Sequence, residues 1–69
     1  MKEIIFLIEE ALEGGFTARA LGFSIFTDAE TMDELKANIR EAICCYFDEK
    51  GDFPKVIRLH FVKDEIMAI

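Results

Sequence analysis

One amphipathic stretch, residues 31–51, constrains the fold of this chain most. At its start Thr31-Met32-Asp33-Glu34 fits a capping box, in which the Thr31 hydroxyl accepts a hydrogen bond from the Glu34 amide. At its end Gly51 suits the left-handed position that closes many helices, and Pro54 cannot continue a helix. Between these signals, apolar residues recur at steps of three and four and share one face: Met32, Leu35, Ile39, Ala42, Ile43 and Tyr46. The pattern predicts one helix that needs a sheet against its apolar face.

Three strands are predicted before the helix. Residues 4–8 are apolar on both alternating sets, which is typical of a strand buried at the centre of a sheet. Gly14-Gly15 then predicts a hairpin into a second strand, residues 16–21, whose small Ala18 and Ala20 face the helix. With a two-residue turn, Glu10 would lie opposite Arg19. Gly22 permits a further reversal into a short third strand over residues 23–27.

The fourth strand is predicted after the helix, over residues 56–62. Here Ile57, Leu59 and Phe61 alternate with more polar positions, so we expect these three to face the helix. A helix between the third and fourth strands is a crossover, so the fourth strand should lie parallel to the first. The prediction is an α+β fold of the order β-β-β-α-β: a mixed four-stranded sheet in the order 3-2-1-4, one helix on one face, and a single domain over residues 1–69.

Composition indicates a protein that associates with others. A domain of 69 residues buries only about 60% of its unfolded surface, yet 52% of this chain is hydrophobic. The apolar tail, residues 66–69, should therefore dock, for example on another copy, and we expect a homo-oligomer, dimer or higher. The net charge of −6 argues against direct binding of nucleic acid and favours a basic protein partner.

The two cysteines and the absence of targeting signals suggest a cytoplasmic protein. Cys44 and Cys45 are adjacent on the helix and point about 100° apart, so they do not bridge each other and read as reduced thiols. No signal peptide is recognisable, and no run approaches the roughly 20 apolar residues that span a bilayer. We expect no membrane association.

No pattern in the sequence predicts catalysis, a metal or a cofactor. His60 is the single histidine, and a general base or metal ligand needs companions. Adjacent cysteines lack the spacing of a zinc or redox motif. The first strand carries no carboxylate before Glu9, so a metal-dependent nuclease site is not expected either. We expect a protein that is not an enzyme.

Several of these elements, in this order, resemble the N-terminal domain of HicB-type antitoxins. The likeness rests on the apolar first strand ending in Glu9-Glu10, the Gly14-Gly15-Phe16 turn, and the helix with Thr31-Met32-Asp33-Glu34-Leu35 and the run from Asn38 to Ile43. It covers nearly the whole chain, although the second turn, residues 20–23, lacks the proline common in that family. The resemblance implies a partial RNase H-like fold and a role in masking a small basic toxin ribonuclease of the HicA type.

Two functional readings remain open. The first is a non-catalytic binding module of this antitoxin type; the alternative is a solitary HicB-like oligomeric scaffold without a toxin partner, and a small enzyme is the least favoured. Because the sequence stops at Ile69, no appended DNA-binding module is expected. A group of residues is predicted on the sheet face away from the helix, either as partner contacts or as ordinary solvated positions: Thr17, Arg19, Leu21, Arg58 and His60.

Overall fold

The fold is a four-stranded mixed sheet with one helix. A computed structural model describes residues 2–48, 51–63 and 66–69. Its elements are β1 (Glu3–Glu10), β2 (Phe16–Ala20), β3 (Phe26–Ala29), α1 (Met32–Phe47) and β4 (Val56–Val62). The sheet order is β3-β2-β1-β4, with β1 antiparallel to β2 and parallel to β4. The predicted α+β class, element order and sheet order are confirmed.

The helix begins where the sequence predicts and ends earlier. Thr31 is the N-cap, and its hydroxyl accepts a hydrogen bond from the Glu34 amide at 3.2 Å. The last helical residue is Phe47, and the predicted extension to Gly51 crosses residues 49 and 50, which lie outside the described residues. Gly51 has the expected positive φ of 69°, and its amide donates to the Phe47 carbonyl at 2.9 Å.

The buried face of α1 is centred slightly differently from the prediction. Its buried residues follow a strict four-residue step: Leu35, Ile39, Ile43 and Phe47. Met32, Ala42 and Tyr46 are only partly buried and flank this row. Phe47 was missed because it follows Tyr46 near the predicted end of the helix, yet it is only 2% exposed and its ring packs edge-on against Phe23 and Tyr46.

The first hairpin has a longer connection than predicted. Glu10 pairs with Phe16, so residues 11–15 form the connection, held by the Ala11 amide donating to the Gly15 carbonyl and the Gly14 amide to the Ala11 carbonyl, both at 3.0 Å. Arg19 consequently lies opposite Leu7, and the predicted pairing of Glu10 with Arg19 is wrong. The two glycines both adopt positive φ within a larger loop rather than forming a two-residue turn.

The third strand is displaced along the chain. The prediction placed it at residues 23–27, whereas β3 runs from Phe26 to Ala29. Ile25 is buried and Phe23 half-buried, and both join the core from the connection that precedes β3. Phe23 and Ile25 are two residues apart and both pack into the core, so their spacing gives the apolar alternation that is typical of a strand.

The helix covers only part of the sheet. Within the described residues the backbone of α1 lies closest to β3 and β2, and no Cα of β4 comes within 8 Å of a Cα in α1. Ile57 and Phe61 pair with Ile4 and Ile8 and so lie on the helix side of the sheet, but they are 36% and 58% exposed. The prediction that Ile57, Leu59 and Phe61 share the helix side is therefore confirmed, although only Leu59 is half-buried against the core.

Candidate protein-interaction surface

The sheet surface opposite α1 is left uncovered; we call it the open face. Alternate residues of β1 divide between the two sides: Ile4, Phe6 and Ile8 are buried under the helix, while Ile5 and Leu7 are half-buried on the open face. Because side chains alternate along a strand, their partners in neighbouring strands lie on the same side. The register therefore determines which side chains surround Ile5 and Leu7.

Leu7 is the centre of one row across the open face. It pairs with Arg19 of β2 on one side and His60 of β4 on the other, and Arg19 pairs in turn with Phe26 of β3. Phe26 is 63% exposed. The row thus alternates polar and apolar side chains, His60, Leu7, Arg19 and Phe26, across all four strands.

Ile5 is the centre of the neighbouring row. Arg58 of β4 pairs with it, and Leu21 lies on its other side, with the Leu21 amide donating to the Ile5 carbonyl at 2.9 Å. The Arg58 guanidinium donates to the Glu3 carboxylate at 3.1 Å, and the Arg58 side chain is 63% exposed. An ion pair so open to water adds little to stability, and it leaves the guanidinium accessible.

The predicted contact residues are thus brought together on one surface. Arg19, Leu21, Arg58 and His60 are exposed around Ile5 and Leu7, and Thr17, half-buried, pairs with Glu9 in the next row. Their arrangement, polar groups around an apolar centre, is typical of protein interfaces. Sequence reasoning missed Phe26, because the misplaced third strand gave no register that put it beside Arg19.

A second exposed apolar region lies at the outer strand; we call it the β4 edge. Val56, Ile57, Phe61 and Val62 are all exposed, and they occupy both faces of the strand. The tail residues Ile66, Met67 and Ile69 are exposed as well, so the part of the chain that the structure describes does not cover the apolar tail. Exposed apolar regions of this kind mark interaction sites.

The described residues do not assemble a metal or redox site. Residues 2–48, 51–63 and 66–69 contain no group of three or more His, Cys, Asp or Glu side chains that could hold a metal ion. Cys44 and Cys45 are both free and exposed on α1. Throughout the part of the chain that the structure describes, no helix has the length and apolar character needed to cross a bilayer.

These features define a small α+β protein whose sheet is covered on one side only. Two relatives carry the name UPF0150 protein. The one from Thermotoga maritima is 40% identical over 68 residues, which cover 99% of this chain and 94% of the relative. The one from Archaeoglobus fulgidus is 51% identical over 53 residues, or 77% of each chain. The chain belongs to the UPF0150 family. No family model and no solved structure matches it.

Proposed function

We propose that this chain is a non-catalytic protein-binding module that acts as a HicB-type antitoxin does, by masking a small basic ribonuclease of the HicA type. The sequence resemblance spans nearly the whole chain, and the observed order of strands and helix is the order that the resemblance implies. The proposal includes a cytoplasmic location, consistent with two exposed cysteines that are unbridged.

The observation that carries the proposal is the open face. A four-stranded sheet in a chain of this size has one helix to cover it, and Ile5, Leu7, Leu21 and Phe26 remain accessible on the other side. Covering such apolar groups by a partner is favourable at about 25 cal/mol per Å² of apolar surface removed from water. The polar groups around them give the partner directional contacts.

The charge distribution favours a basic partner. The net charge is −6, and one exposed segment at the end of β3 and the start of α1 carries acidic residues without any basic one: Asp28, Glu30, Asp33 and Glu34. Acidic surfaces of this kind accelerate the encounter with a basic protein and weaken binding to nucleic acid. We therefore propose no direct contact of this chain with nucleic acid.

A second candidate function is a solitary oligomeric scaffold without a toxin partner. The exposed apolar β4 edge favours it, because this strand offers a surface for another copy whether or not a toxin exists. The two functions are compatible in structure, since the open face and the β4 edge are different surfaces. They differ in whether a basic protein occupies the open face.

The test is capture of the tagged full-length chain from its own cells, followed by an activity assay on whatever protein is bound. We expect a small basic protein in stoichiometric amount that cleaves RNA when freed and is inhibited by one equivalent of the chain. Recovery of the chain alone, or a bound protein whose activity the chain leaves unchanged, would contradict the antitoxin-like function.

A pair of variants then locates the surface. Leu21→Lys places a positive charge in the apolar part of the open face, where Leu21 is 42% exposed, and should weaken inhibition of the basic partner at least tenfold. Ala37→Lys adds the same charge at an exposed position of α1 and should leave inhibition unchanged. Equal effects of the two substitutions would show that net charge, and not the open face, determines binding.

A further inference from the structure

The two edges of the sheet are built differently, and we propose that the β4 edge pairs antiparallel with the β4 edge of a second copy. The two four-stranded sheets would then join into one continuous sheet, with Leu59 opposite Leu59 of the second copy. Such pairing does not depend on a toxin partner.

The β3 edge is protected against such pairing. β3 has only four residues, carries the exposed Asp28, and the carbonyl of Asp28 already accepts a hydrogen bond from the Asn38 side chain of α1 at 3.0 Å. Short length, charge and cover by a helix are the devices by which proteins keep an edge strand from pairing.

The β4 edge is less protected. It is seven residues long and contains no proline, its one charged residue, Arg58, is paired with Glu3, and no Cα of α1 lies within 8 Å of it. Its apolar side chains are exposed on both faces of the sheet. A long apolar edge of this kind readily pairs with another strand, so a stable soluble protein needs it occupied.

The backbone of β4 is oriented for that pairing. The Val56 amide donates to the Lys2 carbonyl at 2.9 Å, so Val56 directs its amide towards β1. In a parallel ladder every second residue turns its N–H and C=O to the same neighbour. Ile57, Leu59 and Phe61 therefore present their amides and carbonyls outward, towards the position of an added strand.

The order of residues in this segment points to a second copy as the occupant. Residues 55–63 have the same order of chemical classes in both directions, with Leu59 at the centre. The matching pairs around it are Arg58 and His60, Ile57 and Phe61, Val56 and Val62, and Lys55 and Lys63. A twofold interface requires self-complementarity, in which residue i meets j and j meets i. Antiparallel pairing centred on Leu59 sets apolar residues opposite apolar ones from Val56 to Val62, except that Arg58 meets His60, and it sets Lys55 opposite Lys63.

This register also gives the best side-chain pairs. On the helix side, Ile57 meets Phe61 of the second copy and Leu59 meets its own equivalent, so that side of the seam is apolar, while on the open face Arg58 meets His60. These are the residues whose backbone groups point outward, so each pair can exchange both hydrogen bonds. A shift to a centre at Arg58 would set two guanidinium groups face to face, and a shift to His60 would put Ile57 opposite Lys63.

Charge weakens this contact and does not drive it. Residues 55–63 hold three basic residues and no acidic one, so pairing sets Lys55 opposite Lys63 of the second copy at each end of the seam, a like-charge pair. The Arg58 charge is compensated within its own chain by Glu3. Ile66 lines a groove with Phe61 and Val62, so the apolar tail begins at the end of the same seam and adds apolar surface to it.

The experiment is sedimentation equilibrium of the full chain over nanomolar to micromolar concentrations, with a matched pair of variants. Phe61→Lys puts a charge opposite Ile57 of the second copy at both ends of the seam, and should raise the dimer dissociation constant at least tenfold. Phe26→Lys alters the same residue type, 63% exposed against 58% for Phe61, on the other edge of the sheet. It should leave the dissociation constant unchanged.

Two further variants separate this proposal from misfolding and test the register. Ile57→Pro removes one outward-pointing amide without touching the ladder to β1, and proline is tolerated on an edge strand in that orientation. Circular dichroism should show that this variant is folded, and sedimentation equilibrium should show that it is a monomer. Lys63→Glu sets an acidic group opposite Lys55 of the second copy twice in each dimer, and should tighten association several-fold.

A native chain that is monomeric at all concentrations would overturn the proposal, as would a dimer that Phe26→Lys dissociates and Phe61→Lys does not. A weaker dimer on Lys63→Glu would refute the register centred on Leu59. None of these results bears on the masking of a basic ribonuclease, which is read from inhibition on the open face.

Discussion

Replacing Leu35 by alanine tests whether α1 covers the sheet as described. Leu35 is 0% exposed and belongs to the row of four buried helix residues that faces the sheet. Truncation of a fully buried leucine removes its transfer free energy and leaves a cavity, at a cost of about 2–5 kcal/mol. Domains have an unfolding free energy of roughly 0.05–0.15 kcal/mol per residue, so this one variant should remove a large share of the stability.

The assay is urea unfolding followed by circular dichroism at one fixed protein concentration, because association between copies stabilises the folded state. The midpoint should fall without a change in the slope, which reports the surface exposed on unfolding. The control is Lys36→Ala, an exposed neighbour on the same helix, expected within about 0.5 kcal/mol of the parent. A loss below ~0.5 kcal/mol for Leu35→Ala would refute the assigned helix face.

Three further substitutions probe features that hold the fold together. Phe47→Ala should cost about 3–5 kcal/mol by thermal or chemical unfolding, because its ring is buried at the end of α1. Thr31→Ala should cost about 1 kcal/mol through loss of the N-cap, and Thr31→Ser should restore most of it. Gly15→Ala should destabilise more than Gly14→Ala, since both have positive φ but a Cβ at residue 15 would lie 2.8 Å from the Ala29 carbonyl oxygen. An equal loss for the two glycine variants would contradict this close approach.

Local signals predicted the elements whose own residues determine them. The capping pattern at Thr31 located the helix start, and the doubly apolar run of residues 4–8 placed β1 in the interior of the sheet. The bounds of β4 were also correct, because its alternation begins soon after Pro54 and ends at Val62. The sheet order followed from these elements and the crossover rule.

Features that depend on tertiary packing could not be predicted from local sequence signals. Phe23 and Ile25 alternate as strand residues do, but they pack into the core before β3 begins, so periodicity alone placed the strand too early. The register of the first hairpin depended on a loop whose length the glycines did not determine. The sequence also does not predict that α1 lies over β3 and β2, and therefore does not predict that Phe61 is exposed.

Of the two candidate interaction surfaces, the sequence predicted one and not the other. The five predicted residues share the open face because strand alternation is a local property, and β2 and β4 were assigned to the correct sides. The exposure of the β4 edge could not be predicted from the sequence, because it depends on the position of α1 over the sheet. The open face is thus predicted by the sequence, and the β4 edge is identified from the structure.

The most direct test of the central claim, that this protein acts through the uncovered surfaces of its sheet, is hydrogen exchange measured by mass spectrometry. Exchange would be compared for the dilute chain, the concentrated chain and the chain saturated with its captured partner. We expect added protection at Ile57, Leu59 and Phe61 on concentration, and along β1 and β2 on partner binding. Protection gained only on α1 would contradict it.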